Sequence, residues 1–510
     1  MALEMLSISW NSIQARLALP HVRESFVAYQ RTAYWLMRHP EGNRLVVLLP
    51  HDEPPELDLV GGVSEQLPGI ALTAAEHEQV RMVHFPTHGV NGDQLRQLLP
   101  WLRPTPLGLA TTVGFGDRLG LATPGHIRAL RSASQNGSHR VLPIFAQQSV
   151  RELTRTRRTA QEVLNAATWG AFEGGWRDPL GADADHLKTT ADVDLLHAAG
   201  FVFFTIDPGA HVDGAAAHDD AATLERKFAA LPWPELETTP EDTLTHGTAT
   251  LDLTEWRLEP TREAIMRAAV KYGRAVAHVT QMARHVAAKG TRYELEISVD
   301  ETDEPTTFEE HAYIARELRR LGVKWISLAP RFIGRFEKGV DYIGDLPALA
   351  RCIQGHAAIA EALGPYKLSL HSGSDKFSVY PLAMEATRGL VHLKTAGTSY
   401  LEALRVLAQK APPLFRQIVV LARERYATDC ISYHVSADVA KMPALAKVPD
   451  PLLPNLLDEF NTREALHVTY GSALDELGTE IRRELQQHAE AYAITLEHHF
   501  SKHLLPFVHE

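Results

Sequence analysis

The sequence predicts a (β/α)8 barrel of the TIM type with an N-terminal α+β extension, an insertion after the fourth strand and a C-terminal helical extension. Two observations carry this expectation. Between residues 106 and 426 a short apolar run followed by a helical pattern recurs eight times. That span exceeds the roughly 250 residues usual for such a barrel, and the excess sits mainly in one stretch, 208–261. Three regions follow: an α+β extension over 1–105, the barrel over 106–426 with its insert, and a mostly helical extension over 427–510.

In the first region SFVAYQRTAYWLMR (25–38) and NRLVVLLP (43–50) flank the turn HPEGN, and HGVNGDQLRQLLPWL (88–102) reads as a loop and a helix. It holds no reactive constellation, so a structural or oligomerisation role is expected. The eight barrel strands are LGLATTV (107–113), RVLPIFA (140–146), GADADHLK (181–188), FVFFTID (201–207), RYELEISV (292–299), VKWISLA (323–329), YKLSLHS (366–372) and LVHLKTA (390–396). Helical patterns separate them. PGHIRALRSA has proline near a helix start. The apolar three-four spacing of REAIMRAAVKYGRAVAHVTQMARHVAAKG ends at Gly290, a C-cap, and FEEHAYIARELRRLG ends likewise at Gly322. The 208–261 insert leaves the C-terminal end of a strand, where lids belong. With the N-terminal region it is expected to cover the mouth. A rival open sheet would carry a dinucleotide loop, but GFGDRLG (114–120) lacks the third glycine of that motif. After 427 come CISYHVS, a proline-rich linker (443–454) and a helix over 474–500, expected to pack across the barrel or on a second subunit with His498 and His499 at the surface.

Composition narrows the partners. Apolar residues make up 45% and charged residues 22%, which excludes a mostly disordered chain. A net charge of −12 argues against nucleic acid and anionic membranes, both of which need a basic surface. No apolar run is long enough to span a bilayer, and the first residues lack the pattern of a secretory leader. Cys352 and Cys430 cannot build a disulfide framework or a cysteine-rich zinc site. A reducing cytoplasm is the expected compartment.

Catalytic groups of such a barrel sit at the C-terminal ends of its strands. His186, His371 and His392 end the third, seventh and eighth strands. They are expected to hold one divalent cation, zinc, manganese, nickel or cobalt, with open positions left for substrate. Each alone reads sooner as a hydrogen-bonded core histidine, and it is the occurrence of all three on barrel strands that favours a metal, since no local HExxH spacing supports the set. Asp185 and Glu296 are the expected proton carriers. In a regular strand Asp185 faces away from His186, so it reaches the interior only if the strand ends there. Glu296 has the right parity, as a ligand or as a partner of Lys367 or Lys394. Lys188, Arg331, Ser372, Ser374, Lys376 and Lys394 are expected to bind a carboxylate or hydroxyls of the substrate. SGSD also reads as a helix N-cap.

The segments DADHLKT (183–189), FFTIDPGAHVD (203–213), SLHSGSDKFSVYP (369–381) and HLKTAGTSYLEALR (392–405) resemble the tagaturonate epimerase family over about 170–405. The resemblance implies a metal-dependent enzyme of hexuronate catabolism that interconverts D-tagaturonate and D-fructuronate, with a small sugar acid as partner. The two sugars differ at C4, whose hydrogen is not acidified by the C2 ketone. Retro-aldol cleavage of C3–C4, rotation of the aldehyde and recombination is therefore the favoured route. A metal across the C2 carbonyl and the C3 hydroxyl would stabilise the enediolate. Transient oxidation at C4 needs a nicotinamide, for which no fingerprint exists. A metal-dependent aldose–ketose isomerase and a non-catalytic sugar-binding protein are the alternatives.

Overall fold

The computed structural model describes residues 21–509 apart from 31, 40–41, 51, 68–79, 136 and 254. Residues 1–20, where a leader would lie, and part of the HPEGN turn are outside the described residues. Five strands come first: β1 (His21–Tyr29), β2 (Thr32–Met37), β3 (Arg44–Pro50), β4 (Val63–Leu67) and β5 (Val80–Pro86). They pair antiparallel in the order β1-β2-β3-β5-β4. Alternation divides their apolar residues between two faces. Tyr34, Leu36, Leu45 and Val47 join the main core, while Ala33, Trp35, Val46 and Leu48 form a separate cluster.

The barrel follows as β6 (Thr111–Gly116), β7 (Val141–Ser149), β8 (Gly181–Leu187) and β9 (Phe203–Ile206). A small hairpin, β10 (Leu251–Asp252) and β11 (Arg257–Leu258), interrupts it before β12 (Glu294–Ser298), β13 (Ser327–Ala329), β14 (Lys367–Leu370) and β15 (Val391–Lys394). These eight strands are parallel, each pairs with its successor, and β15 closes on β6. Every expected barrel strand is present, and the fold class is the one the sequence predicts. Outward residues such as Val113, Ala182, Leu295, Leu368 and Leu393 pack beneath the helices. Leu107, Leu142, Ile144 and Phe203 plug the N-terminal end. Above that plug the interior is polar: Thr112, Asp183, Thr205, Glu296, Ser327, Lys367, Ser369, His392 and Lys394 are all buried. A barrel core is ordinarily filled by branched apolar side chains, so this filling needs an internal electrostatic account.

Three expectations about the periphery are corrected. The 208–261 insert does not cover the mouth. Its helices pack on the outer helix Arg262–Ala287, and Arg316 and Arg320 of the next outer helix bind its backbone carbonyls at His246, Gly247, Ala249, Leu236 and Glu237. Its apolar residues Leu224, Phe228 and Leu244 need that outer surface for burial. The expected C-terminal helix is two helices broken at His488, Tyr470–Gln487 and Ala489–Val508. The second lies across helix Thr123–Ser134, where Gly125 lets Leu496 approach. His498 is exposed. His499 is not: it is buried and its ring meets Asp375 at 2.6 Å.

Phe500 of the last helix is fully buried against the stacked rings of Phe115 (5.2 Å) and His126 (4.8 Å). Phe500→Ala is expected to cost about 3–5 kcal/mol, measured by urea denaturation. A loss below about 1 kcal/mol would show that this helix is not part of the cooperative core.

Candidate metal centre

The register of the strands sets the heights of the polar groups. Ser369 of β14 lies opposite His392 of β15. Two residues further on, His371 and Lys394 therefore share the next layer, about 6.6 Å nearer the mouth at ~3.3 Å per residue. Thr205 pairs level with Glu296 across β9 and β12. In β8 the pairing with β9 shifts between Ala184 and Leu187, and His186 takes a left-handed backbone with φ 52°. This irregularity breaks the alternation. Asp185 and His186, neighbours in sequence, both reach the mouth of the barrel.

Lys394 stands at the centre of this layer. Its Nζ lies 2.6 Å from Asp185 Oδ1, 2.8 Å from Glu296 Oε1, 3.0 Å from Asp183 Oδ2 and 2.7 Å from the Thr205 hydroxyl. Two of those carboxylates also hold histidines. Asp185 Oδ1 meets His186 Nδ1 at 2.8 Å, and Glu296 Oε1 meets His371 Nε2 at 2.7 Å. Each imidazole thus spends one nitrogen on a carboxylate and turns the other outward. His371 Nδ1 faces Asp300 Oδ1 at 3.1 Å without hydrogen-bond geometry, and it is a buried atom with no hydrogen-bond partner. His186, Asp300 and His371 each offer one ligand atom, all within 4.8 Å of one another. Ser298 fixes Asp300 by a 2.5 Å hydrogen bond.

Burial alone would discharge every group here, but the charges outweigh it. Asp185 is held well below the usual carboxylate range by His186 and Lys394. Glu296 is held there by Lys394 and His371. Burial works against charge on His371 too, yet Asp300 and Glu296 raise it to about 10. His186 is raised by Asp185 against the same opposition. Three carboxylates on one ammonium, with Asp300 a fourth beside them, leave a surplus of negative charge that protons on the two histidines offset. A divalent cation would do the same work more fully. The outward nitrogens, the orphaned His371 Nδ1 and the carboxylate–histidine pairs fit such an ion.

The cavity above these groups is lined by Arg118, Ser149, Arg151, Glu152, Asp185, His186, Asp300, Glu301, Arg331, Phe332, Phe336, Lys338, His371, Ser372, Ser374, Lys394, Tyr433, His434 and His467. Of the residues expected to bind metal, the structure brings together His186 and His371 but not His392. That ring lies one layer deeper, wholly buried, with Nδ1 on the Thr112 hydroxyl (2.9 Å) and its face near Phe203. Burial depresses its basicity. Asp300, one loop beyond β12, stands where His392 was expected. Glu296 is not among the cavity's lining residues, and Asp185 is tied to Lys394 and His186. Both orient histidines. Arg331, Ser372, Ser374 and Lys394 line the cavity. Lys376 does not: its ammonium donates to the backbone carbonyls of Glu337 (2.7 Å), Ser374 (3.0 Å) and Val340. Lys188 is exposed beside Asp207 (3.2 Å), outside the cavity.

Other lining groups were not singled out from sequence. Arg118 follows β6 in GFGDRLG. There Asp117 accepts the backbone N–H groups of Leu119, Gly120 and Ala122, and Arg118 pairs with Glu152 at 3.0 Å over the Tyr470 ring. Tyr433, His434 and His467 come from the C-terminal region, whose part in the site has no local motif.

Comparison with known proteins adds three findings. A family model described as tagaturonate epimerase matches residues 23–506. A tagaturonate/fructuronate epimerase of Thermotoga maritima is 43% identical over 416 residues, 81% of this chain and 84% of the relative. Native and glycerol-complexed crystal structures of fructuronate-tagaturonate epimerase from Cohnella laeviribosi are 32% identical. They cover 98% of this chain and 99% of their own, with a TM-score of 0.85.

His186→Ala, Asp300→Ala and His371→Ala are each expected to lower bound metal per chain, measured by elemental analysis, whereas His392→Gln retains it. Loss of metal from the His392 variant with retention in the other three would reverse the ligand assignment. Because His371 keeps its proton up to about pH 10 without a cation, metal uptake must displace that proton. Affinity should therefore rise with pH by about tenfold per unit for that proton, and more steeply where His186 is also protonated, between about 6 and 9. Calorimetric titration showing a flat profile would contradict this.

Proposed function

The chain belongs to the tagaturonate epimerase family, and from that premise we propose that it interconverts D-tagaturonate and D-fructuronate by inverting C4 of the sugar acid. The observation that carries this reading is one cavity holding both a ligand set (His186, Asp300, His371) and a cationic wall. The first suits a keto-hydroxy group and the second a carboxylate. A zinc, manganese, nickel or cobalt ion bound there would supply Lewis acidity toward neighbouring carbonyl and hydroxyl oxygens.

The residues of the chain divide the remaining work. Asp185 and Glu296 orient His186 and His371 through the nitrogens they hold. Both carboxylates, each tied to Lys394 through one oxygen and held well below the usual range, are poor proton acceptors near neutrality, so we assign the C4 hydroxyl proton to Glu301. Glu301 lines the cavity, is more than one-third exposed, and lies 3.8 Å from His186 Nε2. As Glu301 takes that proton, the C3–C4 bonding pair moves into a C2–C3 double bond and the C2 ketone oxygen becomes an enolate. C4 becomes an aldehyde. After the aldehyde turns its other face, the same electron pair re-forms C3–C4 and Glu301 returns the proton to the C4 oxygen. Phe332, Phe336, Tyr433 and His467 wall the cavity and keep the two fragments together.

Substrate deuterated at C4 is expected to keep its label and to show no primary isotope effect, read by NMR of the product. Washout of the label would indicate deprotonation at C4, a primary effect would indicate hydride transfer, and an aldose product would indicate an isomerase. Glu301→Gln should lower kcat by about two orders of magnitude or more while metal content stays at the wild-type level. Unchanged kcat would remove Glu301 from this role.

A further inference from the structure

Five cationic side chains line the cavity, and they differ in whether a carboxylate already neutralises them. Lys394 has three carboxylates within 3.0 Å. Arg118 pairs with Glu152 at 3.0 Å. Arg151 lies 3.8 Å from Glu301 and over the Tyr433 ring. Lys338 and Arg331 have no carboxylate at ion-pair distance among the described residues. Lys338 is the more constrained of the two. It is partly buried, and its ammonium donates to the Ser372 hydroxyl at 2.6 Å. Asp300, Glu301 and Glu152 act on it only at longer range, while Arg151 repels it. Sheltering a cation from water with one neutral acceptor is costly. A water-accessible alternative would be cheap for a lysine stem on a surface loop, so its placement over the cavity points to an anion that arrives from solution.

The backbone supports the same reading. Ser372 follows the candidate ligand His371 directly and has φ 50°, in the left-handed region that a non-glycine residue adopts at a cost. That conformation turns its hydroxyl to the Lys338 ammonium. Lys338 comes from the loop after β13, which is pinned from below by Lys376 through the carbonyls of Glu337 and Val340. The ammonium–hydroxyl pair is thereby fixed relative to the candidate metal ligands on both sides.

We propose that Lys338, set by Ser372, is the receptor for the substrate's carboxylate and the residue that makes the site select sugar acids over neutral ketohexoses. This rests on the proposed sugar-acid reading, because a site for neutral sugars would need no such group. An ammonium is a point charge that tolerates a rotating carboxylate, and Arg331 adds a second contact from the same wall.

The test compares three ligands in the metal-loaded protein: the ketohexuronate, its uncharged C6 amide, and the matching neutral ketohexose. Affinities are taken from calorimetry or from competitive inhibition. Wild type is expected to bind the acid at least tenfold more tightly than the amide. Lys338→Gln should erase most of that ratio by weakening the acid alone, Lys338→Arg should restore part of it, and metal content should stay constant in both. The inference is overturned if wild type does not distinguish acid from amide, or if Lys338→Gln weakens acid and amide equally. Should Lys338→Gln fail to fold, the acid-to-amide ratio in wild type and in Lys338→Arg still decides, because a ratio near one in both removes the receptor. Failure of the epimerase reading is separate: it would show as no conversion of the acid by wild type, whatever the affinities.

Discussion

The ammonium of Lys394 is the interaction on which the mouth of the barrel depends. Asp183, Asp185 and Glu296 converge on it from two other strands. Without it these carboxylates would stand together in a water-poor interior, where like charges force protonation. With it they stay ionised, and two of them keep an oxygen directed at an imidazole. The orientation of His186 and His371 therefore follows from a lysine that touches neither ring. An arginine in this place would present a planar fork in place of a point charge, and the three-carboxylate arrangement would have to change. This is also why the polar filling of the barrel is tolerated at this level: Thr205 accepts from Lys394 and has its single proton to give to Asp183 or Glu296, while the deeper Ser327 and Ser369 hydroxyls and His392 Nε2 stay without a hydrogen-bond partner.

A network of this kind fixes positions only if the backbone delivers its members to the same height. The strands that carry Glu296, His392 and Lys394, β12 and β15, do so by plain alternation. β8 does so by departing from it. The left-handed residue His186 lets two consecutive side chains point to one side, so that Asp185 reaches Lys394 while His186 reaches toward His371, with ring centroids 5.0 Å apart. A regular strand would offer one or the other. The strain is local, and the Asp185–His186 pair itself repays part of it through a 2.8 Å charge-assisted hydrogen bond.

What could be read from the sequence follows the range of the signal. Eight strand–helix units repeat locally, and several carry their own caps, such as Thr189 with Asp192 and Thr307 with Glu310, so the barrel was legible. The alternation Glu294-Leu295-Glu296-Ile297-Ser298 told which face of β12 turns inward. Relative strand heights were not legible, because register between strands is a long-range property. His392 and Lys394 look equivalent on paper, and only the pairing of Ser369 with His392 places the histidine one layer too deep. The irregularity in β8 has no residue signature either, as His186 is neither glycine nor asparagine. The lid expectation failed for a different reason. An insert at a strand's C-terminal end starts near the mouth, but its apolar residues decide where it settles, and here they favour the outer helices.

A second buried group of ligand-type residues shows by contrast what distinguishes the centre at the mouth. Asp375, His499 and His503 also bring their donor atoms within 4.8 Å of one another. There, however, Arg463 occupies Asp375 Oδ2 at 2.8 Å, His499 occupies Oδ1 at 2.6 Å, and His503 Nε2 accepts the Asp375 backbone N–H at 3.0 Å. A guanidinium already stands where a cation would, and the His503 lone pair is spent. Burial drives His503 down to about 3, which keeps it the neutral acceptor that this bond requires. The group consequently acts as a clamp: it ties the last helix to the loop that carries Ser372 and Ser374. At the mouth the corresponding nitrogen, His371 Nδ1, faces the Asp300 carboxylate at 3.1 Å outside hydrogen-bond geometry. Identical residue types become a fastener when their inner atoms are all paired and a binding site when one layer of them is left open to the cavity.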